Sequence, residues 1–325
     1  MPFEAAEVTH ESSTGRFRRT RRRGLRVLRA APQAVPRDVS VVIPTLGSSA
    51  YLQQAVESAL AEEPAEVVVV VNGGAEIDVA GARMLRRPEP GRSAARNEGV
   101  EAARTPYVAF LDDDDAVLPG RLDRQREPLA RDPGAVLSFG RVRVVDDDGQ
   151  PFDDWNRLLG DRFEKLERGG AGYAELLAAQ APVYTSATLV RRDAFLAAGG
   201  YDPAFEAYED LDLYLRLARS GRLVPVGGEP VTLYRLHGAN TPSPRLYEGA
   251  LAVAEKHLPD ARGRARRLLL ERRVDALWGL GRFAEARHAA LQAAAAEPLL
   301  LGHPRFAKRL ASSALPQRAL EARRR

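Results

Sequence analysis

Cysteine is absent from the 325 residues, which excludes a disulfide framework, a thiolate zinc site, an iron–sulfur cluster and a cysteine nucleophile, and leaves stability to a buried core. Lysine is almost absent too: three of the 48 basic residues are lysine and the others are arginine. No uninterrupted apolar run approaches the ~18 residues of a membrane span, and the first residues are polar and acidic rather than a signal-peptide core. The expected location is the cytoplasm. What is present is a hydrophobic fraction of 45%, enough for a globular chain of roughly two domains at ~100–200 residues each.

The net charge of +4 hides a cluster of arginine from Arg16 to Arg29. Like charges repel there and little apolar surface is available, so residues 1–37 are expected to form a mobile basic tail. Such a tail could touch an anionic membrane at its inner face; a solvated leader with no partner is the plainer reading. Phe17 is its only aromatic residue and no recognition module follows, so nucleic acid is not an expected partner.

Order is expected from Val39. VSVVIP is a buried strand ended by Pro44 and a turn. Ser48 or Ser49 would cap a helix whose apolar face is Leu52, Ala55, Val56, Ala59 and Leu60. A second buried strand runs from Glu66 to Val71 and stops at Asn72-Gly73-Gly74. After a loop comes a helix from Ser93 to Arg104, and then a third strand from Tyr107 to Leu111. A helix to about Ala130 and one strand through AVLSFGRVRVV follow. Further elements are expected near Tyr173–Ala179 (helix), Thr185–Arg191 (strand), Leu211–Arg219 (helix) and Val231–Leu236 (strand). This alternation implies a mostly parallel α/β sheet with ligands at the carboxyl ends of its strands. From about Leu246 the chain turns to alanine, leucine and arginine at helical spacing. Within it Leu277–Pro298 resembles one tetratricopeptide-type hairpin, with Gly281 at the turn and Phe283, Ala286 and Leu291 inward. One unit makes no solenoid, and an ordinary antiparallel helix pair is expected.

The third strand runs directly into Asp112, Asp113, Asp114 and Asp115. Four adjacent carboxylates repel unless a cation offsets them. Magnesium and manganese take oxygen ligands, usually one or two carboxylates with phosphate and water completing the shell. On an extended segment Asp112 and Asp114 would face the same side.

Six stretches are identified at this point as a set: Val39–Thr45 (VSVVIPT), Gly91–Gly99 (GRSAARNEG), Tyr107–Asp115 (YVAFLDDDD), Gly199–Asp202 (GGYD), Tyr208–Arg216 (YEDLDLYLR) and Tyr234–His237 (YRLH). Together and in this order they resemble the family 2 glycosyltransferases. The resemblance covers residues 38–245 and implies a GT-A type nucleotide-binding α/β/α sandwich with a mixed central sheet, followed by the helical region 246–325. It implies metal-dependent, inverting transfer of one sugar from a nucleotide-sugar donor to a hydroxyl on a glycan, a lipid-linked intermediate or a small molecule. Asp112 and Asp113 would approach the donor ribose, and Asp114 would bind Mg2+ or Mn2+ with His237 completing the metal or diphosphate site. Asp210 would be the general base, supported by Glu209. Pro44, Thr45, Asn72, Arg92 and Arg96 lie where the family contacts the nucleotide, without a choice between the two arginines.

The chain departs from the family at Asn72-Gly73, where an acidic pair often reads the base. The Q-x-x-R-W motif of processive synthases is also absent, so single addition is expected. A sugar nucleotidyltransferase would need a glycine-rich basic loop after the first strand, and TLGSSAYLQQ is not one. A non-catalytic binding module would have no use for a base at Asp210.

Overall fold

β1 (Val39–Thr45) is buried along its whole length, which is why its sequence is a nearly unbroken apolar run and not an alternating one. The computed structural model describes residues 38–178, 183–236 and 244–312. The basic tail 1–37 and His237 lie outside the described residues. β1 is followed by α1 (Leu52–Leu60), β2 (Glu66–Asn72), β3 (Arg83–Arg87), α2 (Arg92–Ala102) and β4 (Tyr107–Phe110). Neither serine is the cap of α1. Tyr51 occupies that position, and Ser49 instead accepts the Tyr51 N–H at 3.2 Å and donates to the Asp113 carbonyl at 2.9 Å.

Beyond β4 come β5 (Ala116–Val117), α3 (Arg121–Arg131), β6 (Ala135–Gly140) and β7 (Val142–Val145). The single strand expected through 135–145 therefore breaks at Arg141. At the break Val231 packs against Gly140 so closely that a Cβ there would lie 2.5 Å from Val231 Cγ2. α4 (Asp153–Gly169), α5 (Tyr173–Ala178), a 3-10 turn over Thr185–Ala187, β8 (Thr188–Arg191) and α6 (Arg192–Ala197) lead to α7 (Glu209–Ser220), β9 (Arg222–Val226) and β10 (Thr232–Arg235).

The strands form a seven-stranded sheet in the order β3-β2-β1-β4-β8-β6-β9 and a small sheet in the order β5-β10-β7. In the large sheet β1 pairs in parallel with both β2 and β4, while β8 runs antiparallel to β4 and β6. The sheet is mixed, as expected. Strand order reverses at β1, since the chain moves outward through β2 and β3 and then returns to place β4 on the other side. A crevice opens outside the carboxyl ends at such a switch point. Alternate residues of the strands feed two cores: Val42, Val68 and Val70 meet α2 and α7 on one face, and Val41, Ile43 and Val69 meet α1 and α3 on the other. The result is the α/β/α sandwich.

The last helices are α8 (Pro244–His257), α9 (Gly263–Gly279), α10 (Phe283–Ala296) and α11 (Pro304–Ser312). α9 and α10 are the expected antiparallel pair, turned at Gly281 with φ 75°. Phe283 and Ala286 point inward, but Leu291 is 52% exposed, because the buried face of α10 runs through Ala289, Ala290 and Ala293. Val253, Ala254 and Leu269 enter the same core as α7, whereas Ala250, Leu251, Trp278 and Phe283 build a third one. Among the described residues no helix is long and apolar enough to cross a membrane.

Candidate active site

Thr45 ends β1, Asn72 ends β2 and the aspartates follow β4, so the switch point gathers three of the expected segments by topology alone. The aspartates are a tight turn rather than an extended segment, with the Asp115 N–H bonded to the Asp112 carbonyl at 3.2 Å. Their side chains consequently diverge. Asp112 meets Arg96 at 2.5 Å. Asp113 accepts the Thr45 hydroxyl at 2.5 Å. Asp115 is wholly buried and accepts the Arg235 backbone N–H at 2.9 Å.

Each environment sets its acid differently. Burial would raise Asp112, but the charges of Arg96 and Arg92, with hydrogen bonds from Arg96 and Ser186, bring it below its ordinary value. Asp113 is pushed up to about 6 by burial and by the charges of Asp114 and Asp112, against the Thr45 hydrogen bond. Asp115 rises well above the carboxylate range through burial and the same neighbours. Negative charge is in excess at this turn, and a hard cation sharing donor oxygens would relieve it. No set of three or more His, Asp or Glu side chains among the described residues could hold an ion alone. One or two carboxylates completed by phosphate is the arrangement the residues fit.

Asp210 sits in the first turn of α7, which begins at Glu209. The preceding Tyr208 has φ 62°, a conformation that costs roughly 1–3 kcal/mol in a non-glycine residue and persists only where its surroundings impose it. Asp210 is pushed up to about 6, first by burial and then by the charge of Glu209, with the Leu211 N–H and the two arginines opposing. Arg96 joins this turn to the aspartates. Its side chain is 1% exposed, and it donates to Glu209 at 3.1 Å as well as to Asp112. Burial would lower this guanidinium, yet Asp112 and Glu209 hold it above its ordinary value. Arg92 also meets Glu209, at 3.0 Å, but its side chain is 55% exposed.

The structure therefore separates the two arginines: Arg96 is a buried brace, and Arg92 is the one open to a ligand. Asn72 is likewise a brace. It is 3% exposed, its carboxamide donating to the Thr45 carbonyl at 2.8 Å and accepting the Gly91 N–H at 2.9 Å. Pro44 is buried in β1.

Several participants have no place in the expected set. Arg235 donates to the Asp114 carbonyl at 2.8 Å and to Gln54 at 2.7 Å, and its guanidinium lies 4.0 Å from the Tyr51 ring centre, tying the aspartate turn to α1. Arg235 is the arginine of the YRLH stretch, in which the expected participant is the histidine. Arg121, fully buried behind the turn, donates to the Phe110 and Thr188 carbonyls at 2.9 and 3.0 Å. Tyr184 and Tyr234 have ring centres 4.7 Å apart. Burial pushes Tyr184 up to about 12, Arg162 opposing and the charges of Asp210 and Asp115 adding to it, so this ring stands within the field of both acid groups.

Residues 40–195 match the family model described as Glycosyl transferase family 2. Succinoglycan biosynthesis protein ExoO of Rhizobium meliloti (strain 1021) is 36% identical over 35% of this chain and 35% of that protein. ExoU of the same organism is 34% identical over 58% of this chain and 59% of that protein. The pre-mycofactocin glycosyltransferase of Mycobacterium tuberculosis is 30% identical over 61% of this chain and 42% of that protein. The matches thus span between about a third and three-fifths of these relatives' own lengths. In fold, the chain is similar to Staphylococcus aureus TarS 1–349, solved in complex with UDP-GlcNAc, with a TM-score of 0.57, 14% identity and coverage of 88% of this chain and 91% of that one.

Proposed function

This chain belongs to glycosyl transferase family 2 through residues 40–195, and from that premise we propose that it transfers a single sugar from a nucleotide-sugar donor to an acceptor hydroxyl, with inversion and with a divalent metal. The observation that carries the reading is the Asp112–Arg96–Glu209 bridge, which ties the strand-end aspartates to the turn bearing Asp210. A site that binds but does not transfer would not need that link.

In this reading the diphosphate of the donor lies over the aspartate turn, with Arg92 on its open side. Asp114, with Asp113 beside it, would hold Mg2+ or Mn2+, and the expected second ligand, His237, lies outside the described residues. When bound, the metal would offset charge developing on the departing nucleoside diphosphate. Asp210 takes the proton of the acceptor hydroxyl while that oxygen bonds to the anomeric carbon. The carbon–oxygen bond to the diphosphate breaks with its electron pair leaving on phosphate. One displacement inverts the centre, and no covalent enzyme intermediate forms. A uridine donor is supported by the complex of the TarS fold relative with UDP-GlcNAc. A glycan or small-molecule acceptor is supported by the relatives named for succinoglycan biosynthesis and for pre-mycofactocin.

The test is Asp210→Asn. Loss of the base should lower kcat about 10²–10⁴-fold while the affinity for the nucleotide sugar stays within a few-fold. Full transfer by this variant would remove Asp210 from the base role.

A further inference from the structure

The helices beyond residue 243 do more than extend the core, because α8 reaches the turn that carries Asp210 from two directions. At its first half Gly249 lies against the Ala207 backbone, so closely that a Cβ there would be 2.4 Å from the Ala207 oxygen and 2.9 Å from its carbonyl carbon. Ala207 directly precedes the strained Tyr208. Two turns further along the same helix face, Lys256 and His257 take hold of Asp212, which lies two residues beyond Asp210 and is wholly buried. His257 Nε2 and Lys256 Nζ each stand 2.9 Å from Asp212 Oδ1. The other oxygen, Oδ2, accepts Arg216 at 2.7 and 3.0 Å. An ionised carboxylate can only accept, so Nε2 of His257 carries the proton. Lys256 also pairs with Asp202 at 2.8 Å, which extends the grip to the GGYD loop. From α9, the Arg272 guanidinium sits 5.4 Å from the Tyr208 ring centre.

We propose that α8 is the positioning element of the base-bearing turn: by gripping the chain at Ala207 and at Asp212 it fixes where the Asp210 carboxyl lies. The reasoning is mechanical. A left-handed Tyr208 relaxes unless both of its flanks are held, and α8 holds one flank by close backbone packing and the other by a buried ionic hub. On the donor side Thr45 and Asp113 bond to each other rather than to the gripped turn, so loosening the grip should disturb proton removal more than donor binding. The catalytic part of this inference rests on the function proposed above.

The experiment uses the full chain and three variants. His257→Leu removes a donor to Asp212, His257→Gln keeps an N–H in its place, and Gly249→Ala forces the Ala207 backbone away while favouring the helix. Two quantities are read: hydrogen–deuterium exchange over residues 207–214, and kcat with donor KM for UDP-GlcNAc turnover. His257→Leu and Gly249→Ala should raise exchange in that segment at least tenfold and lower kcat at least tenfold. Donor KM should stay within about twofold, and His257→Gln should recover most of both losses. Unchanged exchange in folded Gly249→Ala, or raised exchange with wild-type kcat, would overturn the proposal. If the wild-type chain turns over no nucleotide sugar, while exchange still rises in both variants, the enzymatic reading fails and the structural grip stands.

Discussion

Asp210 illustrates how one carboxyl is tuned by its immediate surroundings. Burial and the charge of Glu209 raise it to about 6, and Arg96 and Arg92 restrain the rise by their opposite charge. A base must be ionised to accept a proton, so activity should be constant above this value and fall about tenfold per pH unit below it. Glu209→Gln removes a charge that raises Asp210, and the acid limb of the kcat profile should therefore move to lower pH. A limb that stays put or moves upward would mean that it reports a group other than Asp210. Arg96 deserves a separate variant, since it was expected at the nucleotide and is found between Asp112 and Glu209. Arg96→Met takes the guanidinium away from half-buried Asp112 and leaves buried Glu209 with Arg92 alone, and breaking a buried pair in this way costs about 3–5 kcal/mol. It should lower the denaturation midpoint sharply. Arg92→Met, at a largely exposed side chain, should leave stability nearly unchanged and raise donor KM.

At the scale of elements, α7 is held by its first two turns. Asp212 lies below its ordinary value of 3.8: burial would raise it, but hydrogen bonds from His257, Lys256 and Arg216 outweigh that. A depressed carboxyl stabilises the folded state above its unfolded value and loses that contribution as pH falls towards its folded one. Stability of the wild-type chain should thus decline below about pH 4 in part through this group. Asp212→Asn should be less stable near neutrality and show a shallower decline, measured by urea unfolding at a series of pH values. The central elements were legible because burial on both faces writes an apolar run into β1, β2 and β4. Of the three strands missing from the sequence reading, β5 is only two residues long, and the other two are the edges of the large sheet, β3 and β9. An edge strand is protected by charge or proline instead of by neighbours, and RMLRR and RLVPV look like loops for that reason. α4 was missed although Leu159, Phe163 and Leu166 keep helical spacing; its other face carries charge. In the site, residue types were legible but not their partners. Four aspartates in a row announce a crowded turn, and only the fold reveals that one meets Arg96, one Thr45 and one the Arg235 backbone.

For the whole molecule the governing feature is the switch point, where the acids exceed the cations facing them and where the proposed donor would bring its charge. A ligand that brings phosphate alone would add negative charge to that excess. One that arrives with a divalent cation would neutralise it, so nucleotide and metal should bind cooperatively. Binding to the native state stabilises it by about 2.7 kcal/mol at a ligand concentration near 100 Kd, which for a chain of this size corresponds to roughly 5 °C in melting temperature. UDP with manganese should produce a shift of that order, UDP with a chelator much less, and manganese alone little. Asp114→Ala should remove the manganese-dependent part while leaving the unliganded melting temperature close to wild type, because Asp114 is half-exposed on the turn. Equal stabilisation by UDP in manganese and in chelator would mean that the protein's own cations balance the diphosphate. Arg92, paired with Glu209 yet more than half exposed, would then face the diphosphate, and in that case Arg92→Met rather than Asp114→Ala should abolish the shift.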